Sequence, residues 1–233
     1  MKNRPIPNIP EEKKALIRAL ILYEDDYLYA FNKPSGLPVQ TRGNRGISLD
    51  HLLWTFARSN GKRPHLVHRI DAGTSGIVLA AKTKPDMKFL SAQFAERRVE
   101  KRYFALVSGT LPDQEIGFCD VPLLKTDRSV RPGQVDQGAD LAFTRWRILT
   151  RNEAYALVEA HPKTGRMHQI RAHLAYLGCP ILGDTLYGAG KESAERLMLH
   201  AASLAITVPN KEKLALEAPV PEDFQMKQAE LGL

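Results

Sequence analysis

Apolar positions change their spacing from stretch to stretch along the chain, and the spacing predicts the elements. Residues 11–20 place acids first and bases later, which suits a short helix. Ile21-Leu22-Tyr23 and Tyr27-Leu28-Tyr29-Ala30-Phe31 flank Glu24-Asp25-Asp26 and read as two strands joined by an acidic turn. Lys33-Pro34-Ser35-Gly36 then breaks the second strand. Ser48 caps a helix over 49–58 that turns Leu52, Leu53 and Phe56 inward. Ile77-Val78-Leu79-Ala80-Ala81 is an unbroken apolar run, the pattern of a buried strand. Thr83 opens a second helix through about Arg98, with Met87, Leu90 and Phe94 at helical spacing. Residues 101–107 alternate as a strand, with Tyr103, Ala105 and Val107 on one face and Phe104 and Leu106 on the other.

Residues 123–139 carry little apolar content but Lys125, Arg128 and Arg131, so they read as a long basic loop able to order on a polyanion. Residues 141–149 and 154–160 form a hairpin across 150–153. Residues 166–177 read as a helix with Met167, Ile170, Leu174 and Leu177 toward the core and Gly178 as its stop. A short helix over 192–198, strands over 203–208 and 213–217, and a terminal helix from Pro221 complete the chain. Strands and helices mix without strict alternation, which indicates an α+β fold with a mixed, mostly antiparallel sheet. No internal repeat or interdomain linker is visible. The organisation expected is a leader and short helix over 1–20 and one domain over 21–233.

Composition narrows the class. The chain has 233 residues and a net charge of +7, a balance that suits a polyanionic partner without requiring one. No apolar run approaches the length of a membrane span, and residues 1–10 lack the apolar core of a signal peptide. Two cysteines, Cys119 and Cys179, indicate no disulfide framework, so the protein reads as cytoplasmic. His168 and His173 stand five apart with no glutamate placed as in a zinc-protease helix, so no metal is expected.

The chemistry concentrates at His68-Arg69-Ile70-Asp71-Ala72-Gly73-Thr74-Ser75-Gly76, which leads directly into the 77–81 strand. An acid in an irregular segment braced by a core strand is well placed to react. The plain alternative is a turn-capping Asp71 and a solvated Arg69. This stretch resembles the central motif of the RNA pseudouridine synthases, in the RluA family that modifies ribosomal and transfer RNA. Other landmarks follow in order. They are Asn32-Lys33-Pro34-Ser35-Gly36, Lys101-Arg102-Tyr103, Thr164-Gly165-Arg166-Met167-His168-Gln169-Ile170-Arg171-Ala172-His173, Pro180-Ile181-Leu182-Gly183-Asp184 with Tyr187-Gly188, and Leu199-His200-Ala201.

The resemblance implies the pseudouridine-synthase fold, a curved central sheet with flanking helices and a central cleft; the N-terminal RNA-binding module that some members carry is not expected, since only about twenty residues precede the first strand. It implies a monomer that needs no cofactor and isomerises uridine in a stem-loop of ribosomal or transfer RNA. It assigns the reacting carboxylate to Asp71, either adding to C1′ or removing the C2′ proton, and stacking on the flipped base to Tyr103. Arg171 takes the place of the family's basic residue, a cation that favours the ionised acid and is expected to meet it in a forked pair. Arg69 is suited to fill the gap left by the flipped base, His68 orders the loop, and Lys33 and Ile170 lie among the substrate-binding positions. Lys33 is either a phosphate contact or a loop lysine. Arg97, Arg98, Lys101, Arg102, Arg128 and Arg131 are candidates for the RNA backbone, against a plain reading as solvated charges.

Two other classes compete. One is an RNA-folding or ribosome-assembly factor, which the joint presence of Asp71, Tyr103 and Arg171 argues against. The other is a carboxylate glycosidase, which would need a second acid that no motif supplies.

Overall fold

The computed structural model describes residues 7–41, 46–110, 112–188 and 190–233. The first six residues of the expected leader lie outside this range. In chain order the elements begin with α1 (Glu11–Ala19), β1 (Ile21–Glu24), β2 (Leu28–Lys33), α2 (Leu49–Leu52), β3 (His65–Leu66), β4 (Ser75–Ala81) and α3 (Lys84–Ala95). There follow β5 (Glu100–Ser108), β6 (Ile116–Cys119), β7 (Leu123–Lys125), β8 (Val130–Pro132), β9 (Thr144–Arg151) and β10 (Tyr155–Pro162). The chain closes with α4 (Gln169–Tyr176), α5 (Gly190–Ser193), β11 (Leu199–Thr207), β12 (Lys213–Glu217) and α6 (Glu222–Glu230). The class is α+β and the sheet is mostly antiparallel, as the pattern of strands and helices predicts.

Two compact units emerge, residues 1–99 with 204–219, and residues 100–203 with 220–233. In the first, β1 pairs with β2 and β2 with β4, both antiparallel, while β3 adds to β4 and β12 to β11. All seven residues of β4 are buried, because its two faces meet two cores. Ile77, Leu79 and Ala81 join Leu28, Leu90, Leu204, Ile206 and Leu216 on one side. Val78 and Ala80 join Ile17, Phe31, Leu49 and Leu53 on the other. Ser48 caps α2 as expected, but the α-helix stops at Leu52 and a 3-10 turn carries the chain only to Phe56. Thr83 caps α3, accepting from the Asp86 N–H, and the helix ends at Ala95 short of the basic run.

In the second unit β5, β10, β9 and β6 are neighbours in that order, each pair antiparallel. Helix α4 brings Ile170 and Leu174 into a core with Ala105, Val107, Trp146, Ile148, Val158 and Ala160. Three local expectations change. Residues 123–139 are not a structureless loop: β7 and β8 form an antiparallel hairpin closed by Thr126 N–H to the Ser129 carbonyl. The helix near 192–198 lies earlier, as α5, and Leu197 and Met198 instead join the core. The helix expected from Arg166 starts at Gln169, because His168 adopts a left-handed backbone at φ 51°.

Candidate functional site

The Asp71 loop is built from the end of β2 and the start of β4. Lys33 pairs with Gly76, whose φ of 109° suits glycine at this entry to the strand. The Lys33 side chain is fully buried, and its ammonium donates to the carbonyls of Pro34 at 2.9 Å and Ala72 at 3.0 Å. Gly36 N–H also donates to the Ala72 carbonyl, and the Ser35 hydroxyl donates to the Gly73 carbonyl at 2.7 Å. Thr74 N–H closes a turn on the Asp71 carbonyl at 3.1 Å. The backbone on the C-terminal side of Asp71 is therefore fixed at each residue from 71 to 74. A fully buried ammonium is not presented to a phosphate, so Lys33 serves as a support of this loop.

His68 supports the other side. Leu79 N–H donates to His68 Nε2 at 3.1 Å, which leaves the ring proton to Nδ1, and the imidazole stacks on Phe94 at 4.5 Å. Arg69 is exposed and Asp71 is half-buried. The first unit thus offers a half-buried carboxylate on a braced loop, next to an exposed guanidinium.

In the second unit Tyr103 lies on β5 opposite Ala160, half-buried at the margin of the core. Arg171 lies on α4 and is held firmly. Its Nε and Nη2 each donate to Asp184 at 2.8 Å, and its guanidinium lies 5.1 Å from the centre of the Tyr187 ring. The Nε–Nη2 edge is thus engaged by Asp184, a partner the motif reading does not anticipate. Asp184 Oδ1 also accepts from the N–H groups of Leu186 and Tyr187. Burial pushes this carboxyl up, but the Arg171 bonds and the two backbone donors outweigh it and hold its pKa below the ordinary value. Tyr187 extends the cluster: its hydroxyl accepts from Val130 N–H at 2.8 Å and lies 3.0 Å from His168 Nδ1. Ile170 is buried in the core beneath.

The turn before α4 is fixed by a chain of side chains. Gln169 accepts from the Thr164 hydroxyl and Arg166 N–H, and donates to the Phe143 carbonyl and the Thr144 hydroxyl. His173 Nε2 donates to the Val121 carbonyl, so Nδ1 accepts from Thr144, and burial holds the ring pKa down.

The basic candidates separate by environment. Arg97, Arg98, Arg128 and Arg131 are exposed, Arg128 in the β7–β8 turn. Lys101 instead donates to the Thr164 carbonyl at 3.2 Å, and burial with the nearby Lys163 lowers its pKa to about 8. Arg102 bonds the Ser203 hydroxyl and lies 3.7 Å from Glu159. Among the described residues, no three His, Cys, Asp or Glu side chains gather as a metal site. Asp184, Tyr187 and Gln169 carry no assigned role in the sequence reading. The signal for the first two is that Gly183-Asp184 and Tyr187-Gly188 stand among the landmark motifs.

The chain is similar to known proteins in sequence and in fold. The sequence pattern of the family described as RNA pseudouridylate synthase matches residues 27–176. An RNA pseudouridine synthase of Zymomonas mobilis is 38% identical over 208 residues, 88% of this chain and 94% of that protein. Ribosomal large subunit pseudouridine synthase C of Vibrio cholerae is 40% identical, over 98% of this chain and 74% of that protein. The solved structure of human RNA pseudouridylate synthase domain containing 4 is similar with a TM-score of 0.81 at 28% identity, covering 95% of this chain and 97% of that one.

Proposed function

The chain belongs to the RNA pseudouridylate synthase family and is an isomerase, and on that premise we propose that it converts uridine to pseudouridine in large-subunit ribosomal RNA, with Asp71 as the reacting carboxylate. The observation that carries the assignment of Asp71 is its loop. Four contacts fix the backbone from 71 to 74 while the side chain stays half-open, the arrangement a positioned reactive group requires.

The reaction breaks the bond from N1 to C1′, turns the uracil and joins C5 to C1′. The C5 proton is lost and N1 gains one, so the change is redox-neutral. Asp71 acts either as nucleophile at C1′ or as base at C2′, and both roles use the ionised carboxylate. Tyr103 stacks on the extruded base, with Arg171 as the cation that favours the charged acid. Arg69 occupies the space the base leaves. Extrusion costs a few kcal/mol and is least costly in a loop, which favours a stem-loop target. The names of the relatives favour ribosomal over transfer RNA as the substrate.

The test is tritium release from RNA labelled at uridine C5, using large-subunit ribosomal RNA and transfer RNA in parallel. Release from the ribosomal substrate that disappears in Asp71→Asn, with RNA affinity retained, is expected. Substantial turnover by a clean Asp71→Asn preparation would remove Asp71 from the mechanism. Release from transfer RNA alone would overturn the substrate assignment.

A further inference from the structure

The strands that carry Tyr103 have a second face. Gly117, Trp146, Ala160 and Tyr103 stand in register across β6, β9, β10 and β5. Trp146 and Ala160 of this row lie in the core. The neighbouring row, Ile116–Arg147–Glu159–Phe104, and the next, Phe118–Arg145–His161, point the other way. On an open sheet face small polar residues are the usual occupants. Here Ile116 is 69% and Phe118 58% exposed, and Phe118 stacks on Phe143 with ring centres 5.5 Å apart.

Charge indicates what such a face takes. Its central acid, Glu159, is nearly buried and already meets Arg147 at 3.0 Å, His161 at 3.0 Å and Arg102 at 3.7 Å. Arg145 adds a further positive charge beside Phe118. Asp120 and Glu100, also exposed, stand at the strand ends outside this centre. Aromatic rings interleaved with arginines, with a positive surplus, match an unpaired polynucleotide: bases stack on the rings and phosphates meet the guanidinium groups. An acidic or neutral protein surface would satisfy the arginines but leave the paired rings without flat partners.

We propose that this face, opposite Tyr103, is an accessory surface for unpaired substrate RNA flanking the target stem-loop, with bases on Phe118 and Phe143 and phosphates at Arg145 and Arg147. The inference rests on the reading of the chain as acting on ribosomal RNA. Its occupant is a part of the substrate beyond the modified loop, so short and long substrates should respond differently.

The experiment compares wild type with Phe118→Ser/Arg145→Gln on two RNAs, the minimal target stem-loop and a longer ribosomal fragment with unpaired flanks. Affinity is read by fluorescence anisotropy, turnover by tritium release, folding by thermal melt and oligomeric state by light scattering. Losing one stacked base corresponds to a weakening of about 5- to 150-fold for the long fragment, with stem-loop affinity and turnover unchanged. Unchanged affinity for the long fragment in a folded variant would overturn the proposal. So would an equal loss on both RNAs, or conversion of a wild-type dimer to a monomer, which would make the face a contact between copies. If wild type bound both RNAs but turned over neither, the assigned activity would fall, while a selective affinity loss would still support the surface.

Discussion

Asp184→Asn isolates the ion pair that holds Arg171. The Asp184 side chain is 0% and that of Arg171 12% exposed, with two bonds of 2.8 Å between them. Three donors converge on Oδ1, from Arg171 Nη2, Leu186 and Tyr187, whereas Oδ2 receives Arg171 Nε. An asparagine will keep its oxygen on the crowded side and turn its amide against Nε–H. The variant therefore loses one bond, sets its amide against Nε–H and removes the counter-charge that Asp184 supplies to Arg171. Breaking a buried pair from one side costs about 3–5 kcal/mol, and the retained oxygen sets the expectation at the lower end. The double change Arg171→Met/Asp184→Leu removes both charges and should recover stability to within about 1–2 kcal/mol of wild type. If Arg171 has the proposed role, it should remain inactive. Urea unfolding at neutral pH measures all of these. The folded carboxyl titrates below its ordinary range, so the pair's stabilisation is complete above the unfolded pKa of about 4 and is lost as pH falls through the folded value. The gap between wild type and Asp184→Asn should therefore close on acidification below pH ~4. A single variant within 1 kcal/mol of wild type, or a double variant that turns over RNA, would refute the reasoning.

Other expectations follow from the same description. Tyr103→Phe should keep stacking and bind RNA nearly as wild type, while Tyr103→Ala should weaken binding by about 1–3 kcal/mol; equal small effects in titrations would reduce Tyr103 to a strand residue. Neutralising Arg128 and Arg131 should lower the slope of log affinity against log salt by about 1.4–1.8, and an unchanged slope would mean the hairpin does not touch the backbone. Lys101 has its pKa lowered to about 8 by burial, so its charged form opposes folding at neutral pH. Wild-type stability relative to Lys101→Met should rise between pH ~8 and pH ~10.5, the window between folded and unfolded values, and urea midpoints at three pH values check it. Arg171→Lys keeps the charge but not the fork, so partial turnover is expected, against near-complete loss in Arg171→Met.

Periodicity made much of the fold legible. The β4 run, the β9–β10 hairpin and the Ser48 and Thr83 caps all rest on local rules. Strand β6 does not, because Ile116 and Phe118 face solvent and present no core alternation. The β7–β8 hairpin is short and polar, so its composition resembles a loop. The division into two units leaves no trace in composition, since the chain crosses at the edge of β5 and inside β11. At the site, the Asp71 loop is recognisable because one contiguous stretch encodes it. The partnership of Arg171 with Asp184 spans thirteen residues and a helix end, a distance at which spacing carries no information.

Strand β11 has a consequence for the order in which the protein can form. The first unit needs residues 204–219: Leu204, Ile206, Val208 and Leu216 fill its core, and Gln93 bonds both the N–H and the carbonyl of Thr207. During synthesis these residues emerge roughly 5–20 s after residue 99, at 5–20 residues per second. The Asp71 half of the molecule must wait with an open apolar surface while the Tyr103 half is made. The second unit in turn lacks Val220 and Phe224 until residues 220–233 have been made. The first half cannot be completed before residues 204–219 have left the ribosome, so the Asp71 loop gains its full support only after the Tyr103 half has been synthesised.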